Sequence, residues 1–344
     1  MTRYIGVDLH TNSFTACILQ DGEKEVMQTL PLQEGGLERF AARLRANDEV
    51  AVEATGNSAW FCKIVSPRVK RVVVIAPWQF EVIRRSVKKT DRHDARAIAF
   101  FLSKDMLPEA RQRSEEHTQL SSLIAIRDQL VGLRTSLLGK VHGLFVRHGL
   151  KVKREALTSQ AGFNRHIKSR EWSALEKVEL EVIAGQIGAI GDSVKRLDKE
   201  IAASAKTLPG YTNLISIKGI GPLSAAIMLL HIGDIRDFKN TGKLAAYFGI
   251  VPRVSQSNAT ATYGHITKRG STLARKALVQ CALIAKRYSS YFHSFYEKVK
   301  ARRGIGKAII AVARKLLNTV FHTIKNNWVF QDFPNFKLLP CNPS

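Results

Sequence analysis

A mixed α/β domain followed by a mainly helical remainder is the architecture that these 344 residues predict. Three observations carry it: short apolar strands confined to residues 3–77, heptad-spaced aliphatics between 115 and 205, and a helical pattern with short breaks from 209 onward. Tyr4–Leu9, Ser13–Leu19 and Val26–Leu32 are three strands separated by the turn-like HTN and DGEK. Leu37, Phe40, Ala41 and Leu44 keep the i, i+3, i+4, i+7 spacing of a helix. Glu49–Ala54 is a fourth strand and Val69–Ile75 a fifth, with a helix over Trp60–Val65 between them. Three antiparallel strands followed by two right-handed crossovers is the simplest topology for that order.

The order βββαβαβ is that of a ribonuclease-H-like fold, assigned to residues 1–112. A coiled-coil helical insertion is predicted over 113–206. There Ile183, Ile187, Ile190, Val194, Leu197 and Ile201 form an a/d seam, and Leu123, Ile126, Leu130, Leu133, Leu137, Val141 and Leu144 keep 3- and 4-residue spacing. Two long helices joined around 151–171 fit an antiparallel coiled coil, a dimer stalk, or a plain hairpin packed on its own domain. A mainly helical domain is expected over 207–325, and 326–344 reads as an irregular tail. Within it, IKGIGPLSA puts Lys218, Gly219 and Gly221 in a tight turn between helices. That is a helix-hairpin-helix pattern whose turn amides can hold a backbone phosphate, although a turn that only packs two helices has the same sequence.

Charge narrows the partner. Lys and Arg number 53 against 29 Asp and Glu, a net of +24. Residues 201–344 hold 21 of the bases and only four acids (Asp234, Asp237, Glu297 and Asp332), a net of +17. Such a field calls for a polyanion, and nucleic acid is the first choice. No lipidation motif, signal peptide or span-length apolar run is apparent, so the expectation is a cytoplasmic protein with no membrane partner. Cys17, Cys62, Cys281 and Cys341 form no C-x-x-C pair, which argues for reduced thiols rather than structural zinc.

Four carboxylates stand out. Asp8 ends the first strand in IGVDLH, and Glu53 ends the fourth in AVEATG. Asp91 and Asp94 of KKTDRHDA are i, i+3 on one helix face, and Ala95 and Ile98 continue that face as the stripe that packs on the sheet. Converging acids repel one another unless a cation relieves them, and hard oxygen ligands favour Mg²⁺ or Mn²⁺. A metal pair can activate the attacking and leaving oxygens of a phosphodiester. A second cluster, GIVPRVSQSNATATYG followed by HITKRG, is a polar loop rich in hydroxyls, bracketed by Arg253, Lys268, Arg269 and Arg275. A hydroxyl there could attack phosphate if a base or metal came from elsewhere.

Taken in order, IGVDLH, VEATG, KKTDRHDA, IKGIGPLSA, LAAYFGIVPR and GHITKRGS resemble the Asp-Glu-Asp-Asp transposases of bacterial insertion sequences, the one-ten family, known as bridge-RNA-guided recombinases. The resemblance covers residues 3–320. It implies a RuvC-like N-terminal domain, a coiled-coil insertion and a C-terminal transposase domain, in a bacterial, nucleoid-associated protein. It makes Asp8, Glu53, Asp91 and Asp94 the metal-binding tetrad. It also implies a serine nucleophile, which counting from Pro252 places on Ser257, with Ser255 as rival; Asn258 stands where the family has Gly. Donor and target DNA, a structured guide RNA, and dimers assembling into a tetramer complete the implied partners. Three other readings compete: a RuvC-type metal nuclease using water, a non-catalytic RNA-binding scaffold, and a sugar-kinase or actin-like ATPase. The last is suggested by IGVDLHTNSF, but no second phosphate turn follows residue 210.

Overall fold

The computed structural model describes residues 2–20, 24–75, 90–110, 114–257 and 260–331. Asn258, Asp332 and Cys341, each named above, lie outside them, as do residues 332–344 of the expected tail. The chain divides into two compact units, Met1–Ser114 and Glu115–Ser344.

The first unit is built on a five-stranded sheet in the order β3-β2-β1-β4-β5, from β1 (Arg3–Leu9), β2 (Ser13–Gln20), β3 (Lys24–Pro31), β4 (Glu49–Glu53) and β5 (Arg71–Ile75). β1 is antiparallel to β2 and parallel to β4, and β4 is parallel to β5. The pleat sorts β1 cleanly. Ile5, Val7 and Leu9 join Phe14, Phe40 and Phe61 in a core on one face, together with α1 (Gly36–Ala42) and α2 (Ser58–Val65). Phe14 sits edge-on to Phe40 and Phe61, with centroids 5.1 and 5.8 Å apart. Against the opposite face lies α3 (Asp91–Ser103), which buries Ala95, Ile98, Ala99 and Leu102 as the stripe predicted.

One ion pair aligns the two central strands. Asp48, fully buried just before β4, accepts from Arg3 Nε at 2.9 Å and Nη2 at 2.5 Å, and from the Arg45 amide at 2.8 Å. Removing the carboxylate strands the guanidinium at the start of β1. Asp48→Ala is expected to cost about 3–5 kcal/mol, read as a lower denaturant midpoint.

The second unit opens with an antiparallel pair, α4 (Glu115–Arg147) and α6 (Ala174–Ala205), linked through α5 (Gln160–Lys168). Arg127 bonds Asp198 at 2.8 Å near one end, and His148 meets Glu176 at 2.6 Å near the other. On α6, Ile183, Val194 and Ile201 are buried as the seam predicts. On α4 the predicted seam needs correction: Ile126 and Leu133 are 46% and 50% exposed, while Ile124 is buried in the place of Ile126. Spacings of 3 and 4 can be threaded through neighbouring aliphatics in more than one way, and the partner helix selects the stripe. The far end has its own core of Phe145, Phe163 and Trp172, and the Trp172 indole donates to the Ile167 carbonyl at 2.8 Å.

At the near end, Leu120, Ile124 and Ile201 enter the main helical core. It is completed by α7 (Tyr211–Ile215), α8 (Pro222–Ile232), α9 (Thr241–Tyr247), α10 (Thr272–Tyr288), α11 (Ser290–Arg303) and α12 (Ile305–Lys325). Part of the expected irregular tail is integral to that core. Phe330 is 5% exposed and its amide donates to Ser216 Oγ at 2.8 Å, while Asn213 Nδ2 donates to the Trp328 carbonyl at 2.8 Å.

Candidate active site

The four carboxylates meet at one corner of the first unit. Val7 pairs with Val52, so the next residues, Asp8 and Glu53, end adjacent strands side by side. Gly6 and Ala51, two positions earlier on each strand, lie on the face that α3 covers. Alternation therefore puts Asp8 and Glu53 on that face too. Thr90 caps α3, its hydroxyl accepting from the His93 amide at 3.3 Å, so Asp91 and Asp94 sit in the first turn. The partial positive charge of a helix N-terminus offsets some of their repulsion.

Gly6, whose importance the sequence did not reveal, sets the approach of that helix. A Cβ on it would stand 2.2 Å from the Ala95 carbonyl oxygen and 2.3 Å from the Ala99 amide nitrogen. Only a bare backbone lets α3 come so close.

Asp8 is 9% exposed. Burial pushes its carboxyl up to about 6; His10 opposes the rise, and Asp91, Asp94 and Glu53 add to it. All three other acids are thus near enough to act on Asp8. His10 was also not singled out. Its Nε2 lies 3.3 Å from Asp8 Oδ2 and 3.4 Å from Asp91 Oδ2. Donor atoms of Asp8, His10 and Asp91 all fall within 4.8 Å of one another, a set that fits a divalent cation.

The second cluster is a ribbon rather than the loop expected. β6 (Pro252–Ser257) and β7 (Thr260–Ile266) pair antiparallel, from Pro252 opposite Ile266 to Ser257 opposite Thr260. Val254, Thr260, Thr262 and Tyr263 are strand-favouring types, but the polar run around them hides the pattern. Ser255 and Ser257 both lie in β6. The ribbon's base is tightly made: the Thr267 amide donates to the Val251 carbonyl at 2.8 Å and the Lys268 amide to the Gly249 carbonyl at 3.0 Å. Arg275 Nη1 donates to the carbonyls of Arg269 at 3.0 Å and Phe248 at 3.3 Å, so this guanidinium braces backbone. Arg253, Lys268 and Arg269 are exposed.

In the turn between α7 and α8, Lys218 is exposed and Gly219 has φ +102. A Cβ on Gly219 would meet the Ala285 amide nitrogen of α10 at 2.8 Å, so close packing requires this glycine. Gly221 caps α8 and faces open space. Burial pushes the thiols of Cys17 up to about 12 and Cys62 up to about 11, leaving both unreactive. Among the described residues no helix is long and apolar enough to cross a membrane.

Two family models align with the chain in order. One for the Asp-Glu-Asp-Asp type of IS110, described as Transposase, matches residues 5–148. The other, described as Transposase IS116/IS110/IS902 family, matches 211–297. A probable family 20 transposase of Pseudomonas aeruginosa is 28% identical over 68% of this chain and 70% of its own length. The transposase for insertion sequence element IS1111A of Coxiella burnetii is 27% identical over 91% and 87%. A pilin gene-inverting protein of Moraxella lacunata is 25% identical over 95% and 97%. All four acids fall within the first match and the ribbon within the second, and the chain belongs to the IS110/IS116 family of transposases, enzymes that recombine DNA.

Proposed function

We propose that this transposase excises and inserts its own element with a Mg²⁺-binding tetrad of Asp8, Glu53, Asp91 and Asp94 and a serine nucleophile, Ser257. One observation carries the tetrad: Asp8, buried at the end of β1, lies within electrostatic reach of the other three acids. The strand order β3-β2-β1-β4-β5 supports a ribonuclease-H-like, RuvC-like reading of the first unit. A bound divalent cation supplies Lewis acidity to the phosphate and lowers the pKa of a coordinated hydroxyl.

The Ser257 hydroxyl gives up its proton and its oxygen bonds to phosphorus. The scissile P–O bond breaks, and the leaving sugar oxygen takes a proton. The phosphoserine ester conserves the bond energy, so a new sugar hydroxyl reverses the step on another strand. Arg253, Lys268 and Arg269 steady the phosphates. Between Asp237 and Glu297 the sequence has no Asp or Glu, so an acid acting on Ser257 comes from elsewhere in the assembly. This supports dimers assembling into a tetramer in which one subunit's tetrad completes another's serine site. The +17 balance of residues 201–344 suits a structured guide RNA as well as donor and target DNA, with pairing supplying the sequence.

The test is a covalent-adduct assay with the flanking DNA of the element. Wild type is expected to yield nuclease-sensitive DNA attached to protein after denaturation, and Ser257→Ala to lose it. An adduct that persists in Ser257→Ala moves the role to Ser255. Cleavage without any adduct favours water as the nucleophile.

A further inference from the structure

Asp8, His10 and Asp91 form a triangle of donor atoms in which one corner is nitrogen. The imidazole Nε2 stands 3.3 Å from one carboxylate oxygen and 3.4 Å from the other. Both contacts exceed the ~2.7–2.9 Å of a tight charge-assisted N–H···O bond, so the imidazole nitrogen is not committed to either carboxylate alone. Adjacent ligands on one octahedral ion, with bonds of about 2.1–2.2 Å, are about 3 Å apart; the two imidazole–carboxylate distances come close to that spacing, and all three donors lie within 4.8 Å of one another.

The residue is also held in place. The His10 amide donates to the Ser13 carbonyl at 2.9 Å. Its carbonyl accepts from Asn57 Nδ2 at 2.8 Å, and Asn57 Oδ1 in turn accepts from the Thr55 hydroxyl at 2.7 Å. Thr55 and Asn57 lie just beyond Glu53, so the turn after β1 is tied to the turn after β4. Such bracing fixes a ligand before the ion arrives.

We propose that His10 is a nitrogen ligand of the cation held by the acid cluster, and that it tilts the site from Mg²⁺ toward transition-metal ions such as Mn²⁺. The proposal rests on reading the cluster as a divalent-cation site. Mg²⁺ is bound through carboxylates and water, whereas first-row transition ions gain from an imidazole.

Full-length protein titrated separately with Mn²⁺ and Mg²⁺ tests it, with pulsed electron paramagnetic resonance on the Mn²⁺ form. Wild type is expected to show ¹⁴N coupling to Mn²⁺. His10→Ala and His10→Gln should both lose that coupling and bind Mn²⁺ about tenfold more weakly or worse, with Mg²⁺ affinity moving by less than about threefold. Coupling that survives in both variants, or tighter binding of both ions, overturns the proposal and makes the imidazole a placeholder charge. If wild type binds neither ion, or Asp8→Asn leaves Mn²⁺ binding intact, the metal-site reading itself is overturned and the proposal with it.

Discussion

Gly6→Ala is expected to destabilise the first unit by about 2–4 kcal/mol and to reduce strand cleavage by at least about a hundredfold in the fraction that remains folded. One methyl group produces both effects because its neighbours are backbone atoms of α3, 2.2 and 2.3 Å away, which cannot turn aside as a side chain would. The helix must lift from the sheet, and Asp91 and Asp94 lift with its first turn while Asp8 and Glu53 stay on their strands. Denaturant unfolding would report the first loss and single-turnover cleavage at saturating metal the second. Cleavage at the wild-type rate in folded Gly6→Ala would show that the tetrad tolerates a displaced helix.

Asp8→Asn should also lose activity but shift stability the other way, being more stable without metal. Burial chiefly raises the Asp8 carboxyl to about 6, from about 3.9 in an unfolded chain. A folded-state value above the unfolded one means that folding favours the proton-bound form. That stabilisation is complete below pH about 4 and disappears as the pH rises through about 6. At pH 7.5 the ionised carboxylate therefore weighs against the metal-free fold by about 1–3 kcal/mol. The amide removes that burden. Melting without metal at pH 7.5 should rise by several degrees in Asp8→Asn, and the gain should vanish near pH 4. Added Mg²⁺ or Mn²⁺ should raise the melting temperature of wild type but not of the variant. A variant less stable than wild type at pH 7.5 would mean that the carboxylate is a structural partner instead.

Much of this corner could be read in the sequence because strands and helices repeat with fixed periods. Alternation along IGVDLH and AVEATG fixes the face of Asp8 and Glu53 once the apolar residues are known to face a core, and the Asp91, Asp94, Ala95, Ile98 stripe does the same for α3. What stayed hidden depends on proximity rather than period. Nothing in the sequence marks Gly6 as the point where a helix crosses, since a strand glycine serves many purposes. His10 was hidden because the turn that holds it is braced by Asn57, 47 residues away. The β6–β7 ribbon escaped because hydroxyl and amide side chains dominate it and leave no apolar face to count. The α4 seam was misread at Ile126 and Leu133 because leucines and isoleucines are dense enough to support a second, equally regular stripe.

The seating of Phe330 also bears on how the protein emerges during synthesis. Ser216 waits for a partner 114 residues downstream and Asn213 for one 115 residues downstream, so the helical unit closes its core only after residue 330 has been made. The sheet unit makes its last described strand-edge bond, from the Ala110 amide to the Val74 carbonyl, before any of the helical unit is made. The acid corner is therefore built first and the basic, ribbon-bearing unit matures last. A chain interrupted before residue 328 would carry a finished acid corner and a helical unit with an open core, and exposed apolar surface of that kind is what cellular quality control acts on.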